Sequence, residues 1–288
     1  MKYKVFIQSN SKQYLGALVS KYTIERYSSN LDKFAVEILS VDEISEIKNI
    51  FNKEILKDGK KIIYSQNDLQ SFTLSRFLPP QLMNFEGRSI VIDPDVFSVY
   101  TDIWDLFKID MGSYAALMRR HNVGWGTSVM LINNKKFKHW KIEEMVNDLI
   151  KHKVDYRDLM CLRNETQKIG VLDNVWNSYD TLSDKTKLLH NTLRITQPWR
   201  VGLKIDYIPK RMKPLFGIIP RELIHMALGR NPYIHREHPD KNQTNFFFSH
   251  LKSAIIEEKI SINLVEKEII NKNLRPDAIK ILNKVKPA

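Results

Sequence analysis

Short apolar runs alternate with amphipathic stretches over the first two thirds of the chain. The runs are typical of buried strands, and apolar residues that return every three or four positions predict helices between them. The predicted strands are residues 4–7, 34–39, 62–64, 89–92, 129–132 and 170–172. The predicted helices lie within residues 15–22, 44–55 and 141–150. Strands that alternate with helices predict an α/β fold, with a mainly parallel sheet and helices on both faces.

The pattern changes after Trp199, where basic residues and prolines predict an irregular, basic connector. The residues concerned are Lys204, Pro209, Lys210, Arg211, Lys213, Pro214 and Pro220. From Asn245 onward the sequence predicts short amphipathic helices, with Phe246, Phe247 and Phe248 in their core. We therefore expect an α/β domain at 1–205, and at 206–288 the connector with a small helical C-terminal appendage.

Composition and charge narrow the classes of function. The 288 residues are 43% hydrophobic and 27% charged, as in a soluble globular protein, and no apolar run approaches the ~18 residues of a membrane span. We see no signal peptide, and the single cysteine, Cys161, excludes an intrachain disulfide framework, so a cytoplasmic location is expected. A formal net charge of +12 predicts an anionic partner: nucleic acid, anionic lipid or a phosphorylated small molecule.

Two aspartates, Asp93 and Asp95, follow the apolar run 89–92. Ligands of open α/β sheets bind just outside the carboxyl ends of strands. Carboxylates two residues apart in extended chain project to the same side, which suits a divalent cation shared with a phosphate. A plain turn explains Asp-Pro-Asp equally well.

A histidine far downstream strengthens the metal interpretation. His190 ends a second apolar stretch, although an isolated histidine is more often a hydrogen-bonded core residue. Together with the two aspartates it would form a mixed oxygen and nitrogen site, which favours Mn²⁺, with Mg²⁺ as the alternative. The basic run Arg119-Arg120-His121 is either a solvated face or a loop over phosphates.

Taken in order, these motifs resemble those of glycosyltransferase family eight, the nucleotide-sugar enzymes related to glycogenin and to bacterial lipopolysaccharide galactosyltransferases. The similar segments are 14–19, 75–80, 92–96, 128–133, 154–159, 176–177 and His190 with Pro198-Trp199. The resemblance implies a Rossmann-like, A-type glycosyltransferase fold, in which 1–205 is the nucleotide-sugar-binding catalytic domain. It also implies a uridine-diphosphate (UDP) sugar as donor and retention of the anomeric configuration.

The resemblance further implies roles for individual residues. Those implied to bind the metal are Asp93, Asp95 and His190. Those implied to contact the nucleotide sugar are Ser9, Tyr14, Arg76, Asp93 and Asn133, with Gln13 competing for the place of Tyr14. Those implied to be catalytic are Asp158 or Asp155, near the anomeric carbon, and Arg194. The family has a lysine near the position of Gln197. Arg194, with Arg200 as second choice, would take the place of that lysine.

The expected function is metal-dependent transfer of a sugar from a nucleotide diphosphate to a glycan or glycolipid acceptor. A nucleotidyltransferase acting on sugar phosphates is the alternative, but it would favour a glycine-rich loop where this chain has Ser9-Asn10-Ser11-Lys12. A nucleic-acid-binding protein is a further alternative, which we do not expect because the basic residues are spread along the chain. Peripheral contact with an anionic membrane, and a homo-oligomer, are left open.

Overall fold

The computed structural model describes residues 2–205, 231 and 233–288. The chain forms two compact units, Met1–His190 and Asn191–Ala288. The sequence places the domain boundary at 205–206 instead. Most of the predicted basic connector lies outside the described residues, so its structure stays a prediction.

The first unit is built from alternating strands and helices. Its strands are β1 (Tyr3–Ser9), β2 (Ala35–Ser40), β3 (Glu54–Lys57), β4 (Lys60–Ile63), β5 (Arg88–Ile92), β6 (Val96–Ser98), β7 (Ala116–His121), β8 (Gly124–Asn133), β9 (Ile169–Val171), β10 (Ser178–Tyr179) and β11 (Leu188–His190). Its α-helices are α1 (Tyr14–Tyr27), α2 (Ser45–Lys48), α3 (Pro79–Leu82), α4 (Trp104–Phe107), α5 (Ile142–Ile150) and α6 (Tyr156–Met160). Its 3₁₀-helices are Val41–Glu43, Ser71–Phe77, Asn134–Lys136 and Asn174–Asn177.

The main sheet has the strand order β2-β1-β5-β8-β7-β9. Strand β1 is parallel to β2 and β5, β9 is parallel to β7, and β8 is antiparallel to both of its neighbours. Three of the five strand pairs in this sheet are thus parallel, and the predicted α/β class with a mainly parallel sheet is confirmed. Because Ile7 lies opposite Ile92, β1 and β5 end at the same edge of the sheet.

Strand β5 holds the centre of the core because its side chains are buried on both faces. Val91 packs into one hydrophobic cluster, whereas Ile90 and Ile92 pack into another. This alternation follows from the period of two in a strand, and β-branched residues fit such a surface well. Burial of each such side chain contributes about 1.5–3 kcal/mol, so the position of β5 and of the residues after it is strongly fixed.

The helix predicted at 44–55 is wrong over most of its length. Only α2 is α-helical there, and Asn52 has a positive φ of 63° that turns the chain into the β3–β4 hairpin. The apolar side chains Ile47, Ile50 and Ile55 nevertheless enter one core cluster. The three side chains are thus buried in the same cluster, although Ile47 lies in a short helix, Ile50 in a turn and Ile55 in a strand.

The regular elements that the structure describes in the second unit are helices, apart from an isolated bridge between Lys204 and Ile234. This unit contains a 3₁₀-helix, Arg194–Thr196, and the α-helices α7 (Lys241–Ile256), α8 (Ile262–Ile270) and α9 (Ala278–Lys284). Phe246, Phe247 and Phe248 are buried as predicted. None of the helices in residues 2–205, 231 and 233–288 combines the length and the apolar character needed to cross a membrane.

Candidate metal centre

Three strand ends bring Asp93, Asp95 and His190 together. Asp93 directly follows β5, Asp95 directly precedes β6, and His190 is the last residue of β11. Strands β6 and β11 are antiparallel, with Val96 opposite His190, so this short pairing places Asp95 beside the imidazole. One ligand atom from each of the three side chains lies within 4.8 Å of the others, and His190 Nε2 is 3.3 Å from Asp95 Oδ1.

Arg76 holds the first aspartate from the 3₁₀-helix Ser71–Phe77. Its Nε donates to Asp93 Oδ1 at 2.9 Å, its second terminal nitrogen pairs with Oδ2, and its other terminal nitrogen donates to Thr127 Oγ1 at 3.0 Å. Burial raises the pKa of Asp93, and the guanidinium offsets part of that rise. The described contacts of Arg76 therefore position a candidate metal ligand, whereas its predicted contact with the donor stays a prediction.

Asn177 fixes the imidazole of His190. His190 Nδ1 donates to Asn177 Oδ1 at 2.9 Å, and Asn177 Nδ2 donates to Ser128 Oγ at 3.1 Å. With its proton on Nδ1, the neutral ring presents the Nε2 lone pair to the side of Asp95. Burial lowers the pKa of His190, but Asp95 and then Asp93 outweigh it, so that the net effect raises the pKa.

The donor set fits a divalent cation. Two carboxylates and one imidazole, with the imidazole tautomer set by a second-layer hydrogen bond, form a typical protein ligand group for Mn²⁺ and also suit Mg²⁺. The three residues are only 5–8% exposed, so a bound ion would lie in a protected position at the carboxyl edge of the sheet. The predicted grouping of these three side chains is thus present, and the identity of the ion stays a prediction.

The residues predicted for the nucleoside lie along the same sheet edge. Ser9 ends β1 and is buried, and Tyr14 begins α1 with 39% of its surface exposed. Helix α1 approaches the Asp-Pro-Asp turn so closely that a Cβ on Gly16 would lie 2.9 Å from the Pro94 carbonyl oxygen. Gln13 is also buried, and its Oε1 accepts no hydrogen bond from any described residue.

Asn133 requires a correction. Strand β8 runs antiparallel to β5, so Asn133 lies opposite Arg88, at the start of β5. Five residues of strand separate this position from Asp93, roughly 16 Å. The β8 residue beside the metal centre is instead Ser128, whose carbonyl oxygen accepts the Asp93 N–H at 3.0 Å. The prediction that Asn133 lines the donor site is therefore not supported by the register.

Asp155 and Asp158 are engaged in local structure. Asp155 caps α6 by accepting the Arg157 N–H at 2.7 Å, and it also accepts the N–H groups of Asp58 and Gly59 in the β3–β4 turn. Burial opposes the charge of Asp155, but these backbone donors lower its pKa. Asp158 pairs with Arg163 at 2.6 Å. Their predicted catalytic roles remain predictions, as does that of Arg194, which lies in the second unit.

Sequence reasoning missed a group of side chains beside His190. Arg119 Nη1 donates to the Asn177 carbonyl oxygen at 2.6 Å, and its guanidinium carbon lies 3.9 Å from the centre of the Tyr179 ring. Tyr179 Oη is hydrogen-bonded to His121 Nε2 at 2.8 Å, and its ring meets the His190 ring edge-to-face at 5.3 Å. The basic run predicted either a solvated face or a phosphate loop, and neither interpretation included the tyrosine.

No protein-family model matches the chain, and no curated protein matches it. Among solved structures, the chain is similar to apo GlyE, a glycosyltransferase of Streptococcus pneumoniae TIGR4, with 18% identity over 79% of this chain and 64% of that chain, and a TM-score of 0.48. It is also similar to the galactosyltransferase LgtC in complex with donor and acceptor sugar analogs (13% identity, 68% and 89% coverage, TM-score 0.45). A third similar structure is that of the bifunctional glycosyltransferase WbbM, with 12% identity over 69% of this chain and 47% of that chain, and a TM-score of 0.49. The chain thus spans slightly less than two thirds of GlyE.

Proposed function

We propose that the protein is a metal-dependent glycosyltransferase that transfers a sugar from a nucleotide diphosphate to a glycan or glycolipid acceptor. The observation that carries the proposal is the buried Asp93–Asp95–His190 group at the carboxyl edge of the α/β sheet. These three side chains would hold a divalent ion, which would supply Lewis acidity toward a diphosphate leaving group. The A-type fold, UDP as the nucleotide and retention of configuration belong to the same proposal.

Two groups of side chains have separate roles: one holds the proposed metal ligands in place, and the other would bind the donor. Arg76 and Asn177 keep Asp93 and His190 in place through the hydrogen bonds described above. Ser9, Tyr14 and the buried amide of Gln13 would contact the nucleoside end of the donor, because β1 ends at the same edge as β5. The uncommitted Gln13 Oε1 supports this assignment, since a buried acceptor without a partner is unfavourable until a donor group pairs with it.

Two further roles complete the proposal. Arg194, or Arg200 in its place, would stabilise the negative charge on the leaving diphosphate. Asp158 would act near the anomeric carbon only if its pair with Arg163 opens, and Asp155 would have to release the three backbone N–H groups that it accepts. Asp158 is therefore the better candidate of the two.

The proposal is tested by incubating the protein with Mn²⁺ and a panel of UDP-sugars and measuring the release of UDP. We expect slow release from at least one donor without acceptor, and a loss of ~10²-fold or more in kcat for Asp95→Asn, about 3 kcal/mol. Without metal, the unfolding free energy of this variant should stay within ~1 kcal/mol of the parent. Asp105→Asn is the matched control, since Asp105 forms an exposed pair with Lys108.

Two outcomes would contradict the proposal. The Asp95→Asn variant could release UDP at the parental rate, which would remove the metal centre from the reaction. Alternatively, the protein could release UDP from no sugar nucleotide but form pyrophosphate from a nucleoside triphosphate and a sugar phosphate, which would identify a nucleotidyltransferase.

A further inference from the structure

The end of the β7–β8 hairpin places an arginine beside the metal centre. The pairing of the two strands shifts between Met118 and Arg119: Met118 lies opposite Met130, and Arg119 opposite Gly126. The intervening residues of β8 have no partner on β7 in the described register, and such bulges redirect side chains. Among these residues are Thr127 and Ser128, which contact Arg76 and Asn177.

Arg119 lies close to the proposed metal ligands without pairing with either aspartate. Its guanidinium carbon is 3.9 Å from the centre of the Tyr179 ring, and that centre is 5.3 Å from the centre of the His190 ring. The guanidinium is therefore less than about 10 Å from the imidazole. One sugar ring linked to a phosphate held at the proposed centre would be able to bridge this separation.

Arg119 forms no direct ion pair with a carboxylate in the described part of the chain. One of its five N–H groups donates to the Asn177 carbonyl oxygen, and no described carboxylate lies within ion-pair distance. The half-buried guanidinium is stacked against Tyr179, which is itself held by His121. Gly126 makes room for this arrangement, since a Cβ there would lie 2.5 Å from His121 Nε2. A fixed guanidinium with unused donors is suited to a carboxylate or phosphate.

The order of the strands indicates which part of the substrate meets Arg119. The proposed nucleoside contacts follow β1, the metal centre follows β5, and Arg119 lies on β7, two strands further across the sheet. At about 4.8 Å per strand, the backbone of β7 lies roughly 10 Å across the sheet from that of β5, on the side away from β1. If the nucleoside is bound on the β1 side, as proposed above, the sugars would extend toward the β7 side.

We propose that Arg119, stacked on Tyr179, recognises a carboxylate or phosphate carried by a sugar substrate, so that this glycosyltransferase acts on an acidic sugar. The inference rests on the proposed function and names the substrate class of the same site. The acidic group belongs either to the transferred sugar, as in a nucleotide-linked uronic acid, or to the acceptor. Both have the same chemistry at Arg119, and the experiment separates them.

The donor arm compares UDP-glucose and UDP-galactose with UDP-glucuronate and UDP-galacturonate, each with Mn²⁺ and without acceptor. If the acidic group is on the donor, we expect kcat/KM for UDP release to be at least ~10-fold higher with a uronate, and Arg119→Gln to remove that preference. The acceptor arm measures binding of galactose, galacturonate and galactose 6-phosphate to protein saturated with Mn²⁺ and UDP, by saturation-transfer NMR. If the acidic group is on the acceptor, the acidic sugars bind at least ~10-fold more tightly, and Arg119→Gln removes the difference.

The neighbouring Arg120 provides the matched control. Successive strand residues face opposite sides, and the Arg120 guanidinium lies over Trp125, at 4.5 Å, instead of Tyr179. Arg120→Gln removes the same charge and should keep the acid preference. Arg119→Lys keeps the charge but not the planar donors, so it should keep part of the preference. This variant also decides the question if Arg119→Gln fails to fold in a thermal unfolding assay.

Three results would overturn the inference while leaving the proposed function intact. Acidic and neutral sugars could behave alike in both arms, although UDP is released from neutral donors. Arg119→Gln could weaken all four donors and UDP itself by the same factor, which would place the guanidinium on the diphosphate. Arg120→Gln could remove the preference as fully as Arg119→Gln, which would indicate a general field effect. If the parent protein releases UDP from no donor, the proposed function and the inference fail together.

Discussion

Replacing Asn177 by alanine tests how the proposed metal centre is held. Asn177 is fully buried, and its side chain joins the Nδ1–H of His190 to the hydroxyl of Ser128 at 2.9 and 3.1 Å. The alanine variant keeps the three proposed metal ligands but removes the group that sets the ring orientation and the tautomer. The Nδ1 proton then loses its partner, and Nε2 is no longer directed toward the side of Asp95.

The expected magnitude follows from the position of Asn177 in the second layer. Loss of the partner of a metal-ligating histidine typically lowers metal affinity 10–100-fold. Each factor of ten corresponds to about 1.4 kcal/mol, so the free energy of Mn²⁺ binding should fall by about 1.4–2.8 kcal/mol. Because a buried imidazole N–H is left without an acceptor, the unfolding free energy of the metal-free variant should also fall, by about 1–3 kcal/mol.

Isothermal titration of the UDP-saturated protein with Mn²⁺ measures the first quantity, and urea unfolding without metal measures the second. Asn174→Ala is the control, because Asn174 is exposed in the same 3₁₀-helix and its replacement should change neither quantity. A folded Asn177→Ala variant whose Kd for Mn²⁺ stays within about twofold of the parent would refute the reasoning, since second-layer loss predicts at least tenfold.

Two other variants test assignments outside the three ligands. Asp155→Ala removes a helix cap and leaves two N–H groups of the β3–β4 turn without their acceptor, so we expect ~1–2 kcal/mol of lost unfolding free energy in urea and little change in UDP release. A large loss of activity at unchanged stability would instead restore its catalytic role. For Asp277, the hydrogen bond with Arg275 lowers the carboxyl pKa, so its stabilisation is complete above the ordinary value of about 3.9 and declines as the pH falls below it. The difference in unfolding free energy between parent and Asp277→Asn should accordingly be larger at pH 7 than at pH 3, and a difference that grew on acidification would contradict this.

The carboxyl edge of β5 was predictable because its signal is local. A run of β-branched residues between polar flanks predicts a buried strand, and the residues that follow it must then lie at the end of the sheet. That logic gives the position of Asp93 and Asp95 without knowledge of any other strand. The α/β class could likewise be predicted from local apolar patterns, because enough strands and helices alternate along the chain even where individual elements were missed or misassigned.

Strand β7 was missed because its second half carries no apolar pattern. Arg119, Arg120 and His121 are polar, and the turn that follows, Asn122-Val123, lacks the Asn-Gly or Asp-Gly sequence typical of two-residue hairpins. The strand forms because β8 beside it is strongly apolar and supplies the pairing partner. Without β7, the sequence offered no reason to place Arg119 against Tyr179.

Ser128, and not the predicted Asn133, lies beside Asp93, which shows how strand direction decides which residues meet at a site. A sequence pattern identifies β8 as a buried strand but is the same whichever way the strand runs. In a parallel arrangement the end of β8, with Asn133, would lie beside Asp93. The hairpin with β7 makes β8 antiparallel to both neighbours, which moves Asn133 to the far edge and brings the middle of the strand to the aspartates. Ser128 then meets Asn177, and through it His190, so the same reversal that removes one predicted contact creates the hydrogen bonds that hold the imidazole.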